Sequence, residues 1–204
     1  MRELARDGTF AYVKFEDSAD VDRVQIRSEE TDPEGFEFFR GLGIVGYAKT
    51  FKAWLRHFPR PIFLAVIRDR ELVSWAFLEE NSEPARDGNP VYILRAIETL
   101  PQLRGKRVGY RLLLLALAQV TGYVVTKPLT KEARSFFLRA GFADLAAEER
   151  PPVEPTRFAG YVVLPPHRRR EALAKLADYF PTSPGGAGGG SPEGSRPGTR
   201  GGTR

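Results

Sequence analysis

The chain has 204 residues, 42% of them hydrophobic, enough to bury one core, and a formal net charge of +5. It has no cysteine and only two histidines, His57 and His167, which excludes disulfides, thiolate metal sites and a cysteine nucleophile and leaves little for zinc, so no metal is expected. No apolar run reaches the ~18 residues of a membrane span, and the opening MRELARDGTF lacks an apolar signal core, so a cytoplasmic protein without membrane contact is expected.

In chain order, TFAYVKF (9–15) carries aromatic and β-branched residues between Gly8 and Asp17 and reads as a strand. From Ser18 to Arg60 the pattern turns helical. SADVDRVQIRSEE opens on a capping Ser18 or Asp20, and VGYAKTFKAWLRHF sets Val45, Ala48, Phe51 or Lys52, Trp54 or Leu55, and Phe58 near one stripe, so two helices are predicted. PIFLAVI and LVSWAFLEE flank Arg68-Asp69-Arg70-Glu71 and predict an antiparallel hairpin. PVYILRAIETL reads as the next strand and YRLLLLALAQV as a helix. GYVVTKPL reads as a strand, TKEARSFFLRAGF as a helix ended by Gly141, TRFAGYVVL as a last strand and HRRREALAKLADYF as a terminal helix. Up to that helix the order is β, α, α, β, β, β, α, β, α, β, a mixed α/β domain over residues 1–180. Tyr12, Tyr92 and Tyr123 fall in strands and read as packing residues.

Residues 181–204, PTSPGGAGGGSPEGSRPGTRGGTR, have nothing apolar to bury and read as a disordered tail. Arg196, Arg200 and Arg204 against Glu193 give it +3 − 1 = +2 of the total charge, leaving +3 for the domain. Its arginines fit either a solvated terminus or a weak, salt-sensitive nucleic-acid contact. The run Arg168 to Arg170 opposes the dipole at a helix start, and fits either a partner or a plain solvated face.

The densest chemical signal is LPQLRGKRVGYRLLLLALAQV (100–120). Arg104-Gly105-Lys106-Arg107-Val108-Gly109 enters a strongly apolar helix, so unpaired N–H groups and the positive dipole end stand beside three cationic side chains. That is an anion site suited to a pyrophosphate, with an ordinary basic turn as the plain alternative. A second glycine pattern, Gly41-Leu42-Gly43-Ile44-Val45-Gly46, matches the dinucleotide fingerprint, with Asp69 further on. The strand it requires would be Phe36 to Arg40, and Glu37 and Arg40 do not suit a strand buried on both faces. DPEGFEFFRGLG reads better as a helix capped by Gly41.

Pro101-Gln102-Leu103-Arg104-Gly105-Lys106-Arg107-Val108-Gly109 resembles the acyl-CoA motif of the GNAT superfamily of N-acetyltransferases, an R/Q-x-x-G-x-G/A turn between the fourth strand and a helix, with Arg107 replacing the middle glycine. Ala133-Arg134-Ser135-Phe136-Phe137-Leu138-Arg139-Ala140-Gly141-Phe142 is similar to that family's second motif. The resemblance covers roughly residues 60–164. It implies a mixed α/β fold with a mostly antiparallel central sheet flanked by helices, acetyl-CoA as cosubstrate, and an amine acceptor that is a small molecule or a protein. It further implies that the backbone of Arg104, Gly105, Lys106, Arg107, Val108 and Gly109 holds the pyrophosphate. The strand end Ile97 to Leu100, including Thr99 and Leu100, would pair with the pantetheine arm. Thr130 stands where the family often has Asn, and Phe137 where it often has a tyrosine acid, so another acid acts or the thiolate leaves unaided.

The acceptor amine must lose a proton, and Glu98, in the apolar strand end AIETL, is the candidate base, with pairing to a lysine or arginine as the alternative. Arg95 reads as a carboxylate's partner and His57 as a helix-end cation. The missing tyrosine leaves a non-catalytic CoA-binding or regulatory module as a second expectation, and nucleic-acid binding through the tail as a third. A homodimer is compatible with all three.

Overall fold

The computed structural model describes residues 1–27, 32, 34–44, 46–148 and 150–181. The tail from 182 onward, and Val45 of the glycine pattern, lie outside the described residues. The chain starts with a hairpin, β1 (Arg2–Asp7) and β2 (Phe10–Phe15), turned at Gly8 with φ 56°. RELARD carries no strand signal because it is a half-exposed edge, where charged residues are acceptable.

The region of the two predicted helices folds differently. Asp17, not Ser18 or Asp20, caps a 3-10 helix over Ser18–Arg23, its carboxylate accepting from the N–H groups of Ala19 and Asp20. The chain then turns extended at β3 (Gln25–Ile26), which pairs parallel with Glu71 and Leu72. The helix expected to end at Gly41 is absent among the described residues. A 3-10 turn over Arg40–Leu42 ends instead at Gly43, the left-handed residue at φ 95°, and Phe36 to Arg40 form no strand. That removes the basis of the dinucleotide reading. Among the described residues of this region the one α-helix is α1 (Tyr47–Trp54), with Gly46 at its N-cap.

β4 (Ile62–Arg68) and β5 (Glu71–Glu80) form the predicted hairpin, its two-residue turn placing Asp69 and Arg70 at positive φ. β6 (Val91–Thr99) follows, then α2 (Val108–Leu117), β7 (Tyr123–Thr126) and α3 (Lys131–Arg139). β8 (Ala143–Asp144), unpredicted, and β9 (Val162–Leu164) close the sheet. The last strand is shorter than expected because Phe158 leaves the ladder to cover a small second core with Ala85, Val153 and Leu145. The terminal helix breaks at Lys175 into α4 (Pro166–Ala174) and α5 (Leu176–Tyr179).

Among the described residues the strand order is β1-β2-β4-β5-β6-β7-β9-β8, with β3 beside β5. Every pairing is antiparallel except β6 with β7 and β3 with β5. Helix α2 is buried around its circumference, with Leu112, Leu113, Leu114, Ala116 and Leu117 all at 0% exposure, and contacts β4, β5 and β6. Each such leucine contributes about 1.5–3 kcal/mol of burial, so the helix is fixed rigidly beneath the glycine turn. Its far end is capped by Arg169, whose guanidinium donates to the carbonyls of Leu117, Val120 and Thr121, while Arg168 pairs with Glu148 at 3.5 Å. Two arginines of the basic run thus have intramolecular work.

Candidate active site

The site begins where two parallel strands part. β6 and β7 are paired from Val91↔Tyr123 to Ile93↔Val125 and no further. The hydroxyl of Thr126, buried at the end of β7, donates to the carbonyl of Leu94 at 2.8 Å and marks the fork. On its other edge β6 stays paired with β5 to Ser74↔Thr99, with a register shift that leaves Arg95 extra. Arg95 is ion-paired with Glu79, as expected.

Past this bulge the alternation assigns every main-chain group. Leu100 donates its N–H to Val73 at 3.0 Å, so Leu100 and Glu98 face β5, and Ile97 and Thr99 turn their N–H and C=O toward the open fork. Of the strand-end residues expected to pair with a pantetheine arm, Leu100 is therefore taken by β5 and fully buried, while Thr99 and Ile97 turn main-chain groups to the fork.

The turn 104–109 sits at the mouth of this fork. Gly105 has φ 77° and Arg107 φ 63°, so Arg107 holds the left-handed conformation for which the family's motif uses glycine. An L-residue pays roughly 1–2 kcal/mol there. Arg107 is the N-cap of α2, with no side chain capping the helix, so the N–H groups of Val108, Gly109 and Tyr110 have no acceptor within it. Val108 points its side chain into the core, and Arg104, Lys106 and Arg107 are exposed. A Cβ on Gly109 would lie 2.6 Å from Thr99 Oγ1, so glycine is what lets the helix start approach the strand end. Thr99 Oγ1 in turn lies 2.7 Å from Ser74 Oγ, which donates to the carbonyl of Glu98 at 2.8 Å.

Glu98 shares the buried face with Ala96 and Leu100 and is itself 5% exposed, directly opposite Trp75. Its Oε1 accepts from the N–H groups of Glu37 at 3.1 Å and Phe38 at 2.8 Å, and its Oε2 from the Tyr47 hydroxyl at 3.0 Å. Burial raises its pKa above the ordinary glutamate value, opposed by these three hydrogen bonds and by the charge of Arg104. Among the described residues no lysine or arginine pairs with it directly. Arg104 instead bonds Glu37 Oε1 at 3.1 Å and the carbonyl of Thr99 at 3.4 Å. Around the carboxylate lie Phe36, Tyr47, Phe39 and Trp75, their rings in contact at 5.2–6.0 Å. Sequence reasoning missed Tyr47 and the donors at 37 and 38, since no local pattern marks residues that meet Glu98 across the fold.

The segment Ala133 to Phe142 runs along α3 and on past its end through Gly141. Thr130 caps α3, accepting from the Ala133 N–H at 3.1 Å, so its hydroxyl oxygen is engaged in the helix. Phe137 is 4% exposed and packed between Phe136 and Phe142, a core residue with no proton to give. His57 is exposed just past α1 and takes no part in the site.

No protein-family model matches the sequence, and no curated protein matches it. Among solved structures the chain is similar to a tyrosine-to-phenylalanine mutant of the toxin AtaT bound to the C-terminus of the antitoxin AtaR and acetyl-CoA, with a TM-score of 0.55 and 15% identity over 80% of this chain and 97% of that one. It is similar to AtaTR bound with acetyl-CoA (TM-score 0.55, 15% identity, 81% and 98% covered) and to a KacTA–DNA complex (TM-score 0.57, 14% identity, 81% and 99% covered). The fold is that of the GNAT-like acyl-CoA N-acyltransferases. Within this fold the 104–109 turn joins β6 to α2, and α3 follows β7. No described helix is long and apolar enough to cross a membrane.

Proposed function

We propose that the protein is an acetyl-CoA-dependent N-acetyltransferase that moves the acetyl group to a primary amine by direct attack. The observation that carries this reading is the fork: two parallel strands part at Thr126, and a glycine-bearing turn with free helix N–H groups and three cationic side chains stands at its mouth. The N–H groups of Val108, Gly109 and Tyr110 and the side chains of Arg104, Lys106 and Arg107 suit a pyrophosphate. Ile97 and Thr99 offer main-chain groups to the pantetheine amides, and an N–H there polarises the thioester carbonyl. The tight seat of Gly109 on Thr99 is the feature of this chain that best fits such a cosubstrate.

Acetyl-CoA supplies the activated acetyl thioester. Glu98 removes one proton from the acceptor ammonium, and the freed nitrogen lone pair forms the new C–N bond as the C–S bond breaks. The nitrogen's second departing proton ends on the thiolate, since Phe137 has none to donate. The acceptor side is formed by Phe36 to Leu42 and α1, where Phe38 and Leu42 are the exposed apolar residues.

Titration of the protein with acetyl-CoA in a calorimeter, with NAD and 3′-dephospho-CoA as controls, tests the cosubstrate. Thiol release on addition of amines, lost in Glu98→Gln, tests the chemistry. Binding without turnover would instead support a CoA-binding module, the second reading, which the buried Phe137 favours. The similarity to toxins in complexes with an antitoxin and DNA motivates one more test. Growth arrest on expression, relieved by Glu98→Gln, would place the acceptor among cellular components needed for growth, and unchanged growth would argue against that class. The tail as a nucleic-acid contact predicts salt-sensitive RNA or DNA binding that disappears when residues 181–204 are deleted.

A further inference from the structure

We propose that Tyr47 is the positioning residue for the Glu98 base, holding the carboxylate so that Oε2 presents its one open lone pair to the acceptor. This rests on the acetyl-transfer reading above.

A carboxylate has about four acceptor positions, two on each oxygen. The N–H groups of Glu37 and Phe38 occupy both positions on Oε1. On Oε2 one position is taken, by the Tyr47 hydroxyl, and one is left for a proton. Tyr47 is itself fully buried, its ring stacked on Phe36 at 5.5 Å and edge-on to Phe51 and Trp75. Its oxygen also accepts the Arg40 N–H at 3.2 Å, which orients the hydroxyl hydrogen away from Arg40 and toward Glu98. One hydroxyl therefore ties the acceptor-side segment to the carboxylate and selects which oxygen stays free.

The groups facing Glu98 are few. Tyr47 comes from α1, and Glu37, already paired with Arg104, from the acceptor-side segment. From β5 comes Trp75, which does not titrate, and the nearby cation is Arg104, which lowers the proton affinity of Glu98. A hydrogen bond donated to the ionised carboxylate favours that form, so its removal raises the proton affinity of Glu98. Burial and the Glu98 charge also hold the Tyr47 phenol far above its usual value, so it stays protonated as a donor.

The test is NMR of glutamate carboxyl carbons in the full chain, with Glu98 assigned by the resonance lost in Glu98→Gln. Tyr47→Phe should raise the Glu98 midpoint by about one pH unit, a tenfold change in proton affinity, while acetyl-CoA affinity stays as in the wild type. An unmoved midpoint in the folded variant overturns the proposal. If Tyr47→Phe does not fold, fluorotyrosine at position 47, a stronger donor of the same shape, should lower the midpoint, and no change overturns it equally. Thiol release from acetyl-CoA with free lysine and with a peptide α-amine reads the enzyme separately. Absence of turnover with a Tyr47-dependent midpoint would count against the acetyl-transfer reading and leave the positioning geometry intact. Turnover whose acid limb follows the NMR midpoint in both proteins would support the two together.

Discussion

Gly109→Ala is the sharpest perturbation of the turn. The added Cβ falls 2.6 Å from Thr99 Oγ1, against an ordinary contact of 3.4–4 Å, so about an ångström must be found. Thr99 has a stiff, β-branched side chain whose oxygen is bound to Ser74, so rotating it away breaks a contact that is part-buried. The lost hydrogen bond costs about 1 kcal/mol and the overpacking about 1–3 kcal/mol, giving roughly 2–4 kcal/mol of lost stability. If the clash is relieved by moving α2 instead, its free N–H groups shift relative to Ile97 and Thr99. Acetyl-CoA binding should then weaken more than tenfold, about 1.4 kcal/mol. Urea unfolding and calorimetric titration read the two effects. Thr99→Ala in the same chain removes the clashing oxygen and should restore much of both, a coupling that a double-mutant cycle measures directly. A folded Gly109→Ala protein with wild-type affinity for acetyl-CoA would refute the assignment of this turn.

Arg107→Gly should raise stability by up to about 1 kcal/mol, because it relieves a left-handed L-residue, while weakening acetyl-CoA binding through the lost charge; a fall in melting temperature would contradict the backbone argument. Arg169→Ala should cost about 2 kcal/mol in urea unfolding by stripping charged donors from three carbonyls at the end of α2, and should leave cosubstrate affinity alone; a large loss of affinity would mean the basic run does face a ligand. For Glu98 the folded pKa is raised, so the folded state binds its proton more tightly than the unfolded chain. Stability from this group is therefore lost as pH rises from about 4.3 through the folded value. The difference between wild-type and Glu98→Gln stability curves should fall across that window, and a flat difference would show that Glu98 is not perturbed.

The parts of the fold legible in the sequence were those in which local pattern and tertiary role agree. The β4–β5 hairpin is two apolar runs about a short polar turn, and α2 is a glycine turn leading into leucines; both stand where the pattern puts them. The segment from Ser18 to Gly43 misled because its apolar spacing imitates helices, while its partners are distant. Gln25 and Ile26 pair with the start of β5, and the N–H groups of Glu37 and Phe38, which a helix would use within itself, go to a carboxylate some 60 residues on. The turn assigned to the cosubstrate in the proposal was legible as a unit because it is one contiguous stretch, residues 104–109. The acceptor side was not, since Glu98, Tyr47 and the 37–38 backbone meet only through the folded sheet. That Glu98 shares its face with Ala96 and Leu100 followed from alternation, but which face was buried did not.

The unequal demands on acid and base explain how a chain with Phe137 can still fit an acyltransferase. An alkyl ammonium of pKa about 10.4 lies about 3.4 units above neutral pH, so presenting the free amine costs about 4.6 kcal/mol. A thiol of pKa about 8.5 lies only about 1.5 units above it, and leaving as a bare thiolate costs about 2 kcal/mol. A tyrosine acid at 137 therefore has less than half the leverage of a base at 98. The raised pKa of Glu98 narrows its mismatch with the ammonium, which strengthens it as the base. In the proposed reaction the transfer that Phe137 lacks is the cheaper of the two, and Phe137 packs instead between Phe136 and Phe142. The costlier transfer falls in that proposal to Glu98 under its three donors, so substitutions at 98 should fall mainly on kcat, and Phe137→Tyr should gain little.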